Sequence, residues 1–349
     1  MESIAKNVRP TQSKGPSQLF SSKACTDAAR QDLLRRFMPT PHATDLQLMH
    51  RTVRLETNNE AVVTLALNFF ERHQHGRAGQ PEFVWRIVSE FDPQVRSTAV
   101  PLAAFSDPGL QYVNIGQRSF LAVDLDRREA IGFLPELFLE GEPRLRHRPP
   151  LDILFCMCAA SLGLVALSGG CAGLEDRGVL VFGPPNSGKT TASYLAAKLG
   201  MEFHADQVVF LDMSGGLLRA WGDPFPAVFR PETLDFLPEL RESARLSTYA
   251  DLSFYYFDKS ALQSRWAKPF VPASCLFLDR STRCKPLLEQ ISRDDAASRL
   301  REYVLFEEDA RFNAQIVEAI SGLAAKPAYN LKYDSDPKTA ATFIRKMLP

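Results

Sequence analysis

The run VFGPPNSGKTTAS at 181–193 restricts the fold more than any other stretch of this chain. An apolar segment, RGVLVF, enters a loop rich in glycine and proline, and a segment with helical periodicity leaves it. Gly183, Gly188, Lys189 and Thr190 satisfy G-x-x-x-x-G-K-[ST], a pattern whose chemistry requires a strand before the loop and a helix after it. A loop that turns its backbone N–H groups toward an anion needs the φ freedom of glycine, and the helix that follows adds the positive end of its dipole. The candidate nucleotide-contacting set is therefore Gly183, Pro184, Pro185, Asn186, Ser187, Gly188, Lys189, Thr190 and Thr191. Lys189 supplies a point charge for the outer phosphates. Thr190 offers a hydroxyl to Mg²⁺, a hard cation that prefers oxygen ligands.

A cradle alone does not transfer phosphate; a carboxylate must orient or deprotonate the acceptor, or hold the metal. Asp206, Asp212 and Asp279 follow downstream. In TTASYLAAKLG the apolar residues Ala192, Leu195, Ala196 and Leu199 recur at helical spacing before Gly200 closes the helix. That helix descends about 16 Å at 1.5 Å per residue. A strand through MEFHADQVVFLD, returning at 3.3 Å per residue, regains the level of the loop after about five residues, which is Asp206. Asp206 is thus the expected acid/base and, with Thr190, the expected metal ligand, and Lys189 and Asp206 form the catalytic pair. Asp212 overshoots; it closes the apolar run VVFLD as a Walker-B acid would, but the MSGG behind it reads as a hairpin turn, which favours a structural role. Asp279 ends the buried strand SCLFLD and remains a metal-ligand candidate. His204 shares a face with Asp206 if the strand is regular, where a packed histidine is the blander account. In ERHQH, His73 and His75 have no further acidic or cysteine partner nearby and make a poor metal site.

The rest of the chain supplies context. With 349 residues it can bury more than one core, and Lys plus Arg balances Asp plus Glu at 41 each. No global field then favours nucleic acid or an anionic membrane, so affinity for phosphate has to be local; RLRHR at 144–148 could steer an acidic partner or phosphate, with a solvated basic face the blander account. The six cysteines lack C-x-x-C spacing and suggest no disulfide framework, in keeping with a reducing, cytoplasmic location. LDILFCMCAASLGLVALSGG at 151–170 is nearly apolar, but its interior glycines and its passage into the loop favour a buried helix followed by a strand over a membrane span. Residues 1–55 read as a tail of uncertain role, with a short helix in TDAARQDLLRRFM; 56–150 as a small, largely antiparallel β-rich region; and 151–349 as the nucleotide-binding domain. Within the last, SRDDAASRLREYVL predicts a helix capped by Ser292, and AYNLKYDSDPKTAATFIRKML a strand, a turn and a final helix.

At GPPNSGKT and HADQVVFLD the sequence resembles the HPr kinase/phosphorylase group of P-loop proteins, in particular its divergent members. The resemblance extends weakly through FLAVDLDRR, CLFLDRS, RDDAASRL and YNLKYD. It implies an α/β fold of the P-loop NTPase type, similar to the C-terminal domain of HPr kinase, with a mixed sheet and flanking helices behind a smaller β-rich portion. It also implies an ATP- and Mg²⁺-dependent kinase acting on a hydroxyl, a serine of a protein or peptide. Asp206 falls on the first acid of the family's Ala-Asp-Asp or Ser-Asp-Glu motif. Founding members are hexamers, which brings a homo-oligomer into consideration. Gln207 stands where the family has a second acid, and Ser168 where it often has a histidine. Those departures support an alternative, an ATP-binding switch or scaffold with reduced catalysis. A plain ATPase would need a water-positioning residue, and the sequence identifies none.

Overall fold

In RGVLVF and SCLFLD nearly every residue is apolar, which suits strands buried on both faces in a parallel arrangement. A computed structural model describes residues 38–73, 79–91, 103–116, 119–136, 139, 150–223, 227–242, 245–249, 252–257, 268–280, 285–306, 309–334 and 336–348. The expected helix at 26–38, apart from Met38, and the basic run at 144–148 lie outside these residues, as does His75.

The first sheet has seven strands: β1 (His42–Leu48), β2 (Arg51–Thr57), β3 (Phe83–Glu90), β4 (Ala103–Asp107), β5 (Leu110–Gly116), β6 (Ser119–Asp124) and β7 (Glu129–Pro135), in the order β1-β2-β3-β7-β6-β5-β4. It begins at His42, inside the stretch expected to be tail. Two of its pairings, β2 with β3 and β3 with β7, are parallel. The first needs a crossover, supplied by helix α1 (Glu60–Phe70), which the sequence reading did not single out. Asn59 caps α1, its side chain accepting from the Ala61 N–H.

The apolar run from residue 150 divides as its glycines suggest. Helix α2 (Pro150–Cys158) is buried throughout, a 3₁₀ turn ends at Gly163 with φ +77°, and β8 (Leu164–Ser168) follows. No helix among the described residues is long and apolar enough to cross a membrane.

Next come β9 (Gly170–Leu174), β10 (Arg177–Phe182), helix α3 (Lys189–Lys198), β11 (Glu202–Ala205) and β12 (Val208–Asp212). The single strand expected across 201–212 is two strands in different sheets. β11 joins a six-stranded sheet ordered β11-β9-β10-β17-β19-β18, whereas β12 is the centre of a three-stranded sheet, β13-β12-β8. The chain changes sheet at Asp206 and Gln207. The remaining strands are β13 (Arg219–Gly222), β14 (Ala227–Phe229), β15 (Arg245–Tyr249), β16 (Leu252–Phe257), β17 (Val271–Arg280), β18 (Leu287–Gln290) and β19 (Ala328–Tyr333), with β14, β16 and β15 forming a separate small sheet. Helices α4 (Arg293–Arg301), α5 (Asn313–Ala324) and α6 (Pro337–Lys346) complete the set, and the Ser292 hydroxyl caps α4 as expected, accepting from the Asp295 N–H at 3.1 Å.

The two-residue period of the strands assigns each face to a layer. On the six-stranded sheet, Val179, Val181, Leu276 and Leu278 pack with Ala192 and Ala196 of α3 and with Ala340, Ala341 and Ile344 of α6. On the opposite face, Leu180, Phe182, Cys275 and Phe277 meet Val165, Leu167, Val209 and Leu211 of the three-stranded sheet together with α4 and α5. The other face of that smaller sheet, Leu164, Ala166, Val208 and Phe210, joins the core of α2 and the seven-stranded sheet. One core therefore runs across the boundary expected at 150, and Pro39–Pro349 is one compact unit. The architecture is mixed α/β, two mixed sheets and two antiparallel three-stranded sheets with helices between and around them.

Candidate functional site

β10 is parallel to β17, and β17 to β19, so three strands deliver their C-terminal ends to one edge of the sheet. Ligands of open α/β sheets bind at such an edge. The loop 183–188 leaves β10 there. Gly183 has φ +152°, and a Cβ on it would lie 2.9 Å from the Leu278 carbonyl oxygen of β17 and 2.5 Å from the Ser187 hydroxyl. Asn186 and Gly188 are also at positive φ, +68° and +89°. The N–H groups of Gly188, Lys189, Thr190 and Thr191 donate to no acceptor among the described residues. The first turn of a helix carries unpaired donors as a rule. Here they adjoin a loop whose left-handed residues turn successive amides to one side, the geometry of an anion-binding nest.

The Lys189 ammonium donates to the carbonyl oxygens of Gly183 at 2.8 Å and Pro184 at 3.0 Å, folding back over the loop. Burial pushes its pKa down to about 8, against which the negative charge of Asp206 raises it. Ser187 is 2% exposed, and its hydroxyl has no hydrogen-bond partner among the described residues. A glycine-lined loop, unpaired amides, an orphaned buried hydroxyl and a lysine spanning the loop are a donor set that fits a polyphosphate.

Asp206 follows the last residue of β11 and is buried, one carboxylate oxygen accepting from the Val228 N–H of β14 at 3.1 Å. Ser193, one turn after Lys189 on the same face of α3, sits over Gly170: a Cβ at Gly170 would lie 3.0 Å from the Ser193 hydroxyl and 3.7 Å from Asp206 Cα. Gly170 thus lets α3 and the end of β11 approach closely, and the lysine and the aspartate come within electrostatic range of each other.

The other candidates separate. Asp212 is structural: it accepts from the Ser214 N–H at 2.8 Å in the hairpin turn and pairs with Arg51 at 3.3 Å, and Arg51 also donates to the Leu162 carbonyl at 2.7 Å. Asp279 is exposed and stands opposite Lys332 of β19. His204 does not keep a regular alternation with Asp206, because the pairing of β11 with β9 shifts register between Phe203 and Ala205. Its ring stacks on Phe270, with centroids 4.9 Å apart. His73 is buried, its Nε2–H donating to the Gly222 carbonyl at 2.7 Å. Among the described residues no three His, Cys, Asp or Glu side chains gather as a metal site, which a Mg²⁺ held by one hydroxyl and by phosphate oxygens does not require. Leu199, expected on the buried face of α3, is 50% exposed because the helix ends at Lys198.

Two residues at this edge escaped sequence reasoning. The Tyr333 hydroxyl, at the end of β19, donates to the Ser187 carbonyl oxygen at 2.5 Å, and burial pushes its pKa up to about 12. Arg280, at the end of β17, donates to the Asn186 carbonyl oxygen at 3.4 Å. Ser168 pairs with Val208 across β8 and β12, and the Gly169 N–H donates to the Gln207 carbonyl at 3.0 Å, so Ser168 and Gln207 both lie at the corner where the chain changes sheet.

No protein-family model matches the chain. No curated protein matches it. Among solved structures it is similar to the HPr(Ser) kinase/phosphatase from Coxiella burnetii, with 12% identity over 52% of this chain and 87% of that one and a TM-score of 0.28. That is a weak neighbour, and the site is read from this chain's own residues.

Proposed function

We propose that the chain is an ATP-dependent, Mg²⁺-requiring phosphotransferase of the HPr-kinase-like type, acting on a hydroxyl of a protein or peptide, with serine as the expected acceptor. The single observation that carries the reading is the loop at 183–188, its unpaired amides spanned by a lysine that a buried aspartate influences electrostatically. When bound, a nucleoside triphosphate with its cation supplies the transferable phosphoryl group. The amides of Gly188, Lys189, Thr190 and Thr191 hold phosphate oxygens, and Lys189 releases the Gly183 and Pro184 carbonyls to balance their charge. The Thr190 hydroxyl ligates the cation. Asp206 accepts the proton of the acceptor hydroxyl, and Val228 N–H holds the carboxylate in place.

Purified protein incubated with labelled ATP, Mg²⁺ and a serine-peptide library tests this. Asp206→Asn is expected to lower transfer by about 10²- to 10⁴-fold, the range for removing a general base, while ATP still binds at pH 6.5, where Lys189 stays charged. Transfer at the normal rate by Asp206→Asn refutes the assigned role. The second reading, an ATP-dependent switch, is favoured by Gln207 in place of a second acid. Tight ATP binding by the unaltered protein without turnover would select it.

A further inference from the structure

The loop amides can serve as a cradle only if the peptide planes of the loop face the right way before the ligand arrives. The plane between Ser187 and Gly188 is the critical one, because it carries the Gly188 N–H, which donates to no acceptor among the described residues, and because Gly188, at φ +89°, has the freedom to let that plane rotate. In a trans peptide the C=O and the N–H point in opposite directions. A partner that fixes the Ser187 carbonyl on one side therefore fixes the Gly188 N–H on the other. That partner is Tyr333, whose hydroxyl donates to the Ser187 carbonyl oxygen at 2.5 Å. It stands on the far side of Gly188, where an added Cβ would meet the hydroxyl oxygen at 2.6 Å. The ring is 1% exposed and packs in the core with α3 and α6, so the donor is itself held rigidly.

We infer that Tyr333 is a positioning residue: through the Ser187 carbonyl it holds the Gly188 N–H toward the phosphate-binding side of the loop before ligand binds. The inference deepens the proposed function and rests on its reading of the loop as a polyphosphate cradle. Without the hydroxyl, the plane between Ser187 and Gly188 is free to rotate, and the binding-competent loop becomes a fraction of the population. Apparent affinity falls by that fraction. One neutral hydrogen bond of about 1 kcal/mol corresponds to about a fivefold loss.

The test uses the full chain and inorganic tripolyphosphate with Mg²⁺ as probe, so that no base or ribose contact contributes. Affinity is measured for the unaltered protein, Tyr333→Phe and Lys189→Met, and the Gly188 amide is followed by NMR in ¹⁵N-glycine-labelled protein, assigned by its loss in Gly188→Ala. The expected result is binding by the unaltered protein, loss of binding in Lys189→Met, and about fivefold weaker binding in Tyr333→Phe with a Gly188 amide already displaced before ligand is added. A purely structural tyrosine would lower thermal stability but leave both the affinity and the free-state Gly188 resonance unchanged, and that outcome overturns the inference while the cradle stands. Absence of binding by the unaltered protein overturns the cradle, and the positioning role with it. Should Tyr333→Phe fail to fold, Tyr333→Leu offers a second variant that is no larger and brings no donor to the Ser187 carbonyl, with the same two readouts.

Discussion

Replacing Gly188 by alanine probes the loop at its tightest point, and its cost can be worked from two separate causes. The first is conformational: φ +89° is a backbone state in which a Cβ crowds the following carbonyl, at about 1–2 kcal/mol. The second is contact. The new Cβ would lie 2.6 Å from the Tyr333 hydroxyl oxygen and 3.9 Å from the ring carbon that bears it, so the collision is with the oxygen alone. To reach ordinary contact the hydroxyl must retreat by about 0.8 Å, which lengthens its 2.5 Å hydrogen bond to Ser187 past the usual limit and forfeits about 1 kcal/mol. Gly188→Ala is therefore expected to cost about 2–3 kcal/mol and Tyr333→Phe about 1 kcal/mol. In the double variant the oxygen is gone and the hydrogen bond is lost only once, so its cost is about 1 kcal/mol below the sum of the singles. Urea unfolding of all four proteins, compared at constant m, measures the coupling. Single costs that add to within about 0.3 kcal/mol would refute the shared-contact reasoning.

Two further predictions concern charge. The folded pKa of Lys189, about 8, lies below the ordinary 10.5, so its protonated form is disfavoured by folding; that cost is present below pH 8 and is relieved as pH rises from 8 toward 10.5. A bound polyphosphate favours the protonated form, so above about pH 8 binding takes up a proton and affinity falls by up to about tenfold per pH unit; calorimetry in buffers of different ionisation enthalpy should show that uptake, and at about pH 6.5, where the lysine is already charged, its contribution should vanish. Asp212→Ala should destabilise the protein by about 1–3 kcal/mol, because it leaves the largely buried Arg51 guanidinium with only the Leu162 carbonyl, while leaving tripolyphosphate affinity unchanged; a loss of affinity in a stably folded variant would return Asp212 to the site.

The contrast between Asp206 and Asp212 shows how far spacing carries. The distance down a helix and back up a strand is a matter of residue counts, and by that count Asp206 belongs at the level of the loop, while the MSGG turn marks Asp212 as structural. The Arg51–Asp212 pair accounts for the second in detail, and for the first the structure adds the electrostatic coupling to Lys189. The break between β11 and β12 escaped that reasoning because EFHA and VVFLD are each apolar enough for a strand, and only their partners, β9 for one and β8 and β13 for the other, decide that they part at Asp206.

By itself the sequence determined the local sequence of elements around residue 181: a strand buried on both faces, a loop whose glycines permit left-handed backbone, and a helix that begins with lysine and threonine. Those properties depend on neighbours along the chain, and neighbours along the chain are what a sequence displays. Tertiary structure decided the rest. Tyr333 and Arg280 reach the loop, Val228 holds Asp206, and one core runs from the seven-stranded sheet past residue 150. Each of those contacts joins residues far apart in the chain, and which distant strands lie side by side is settled by the packing of whole sheets.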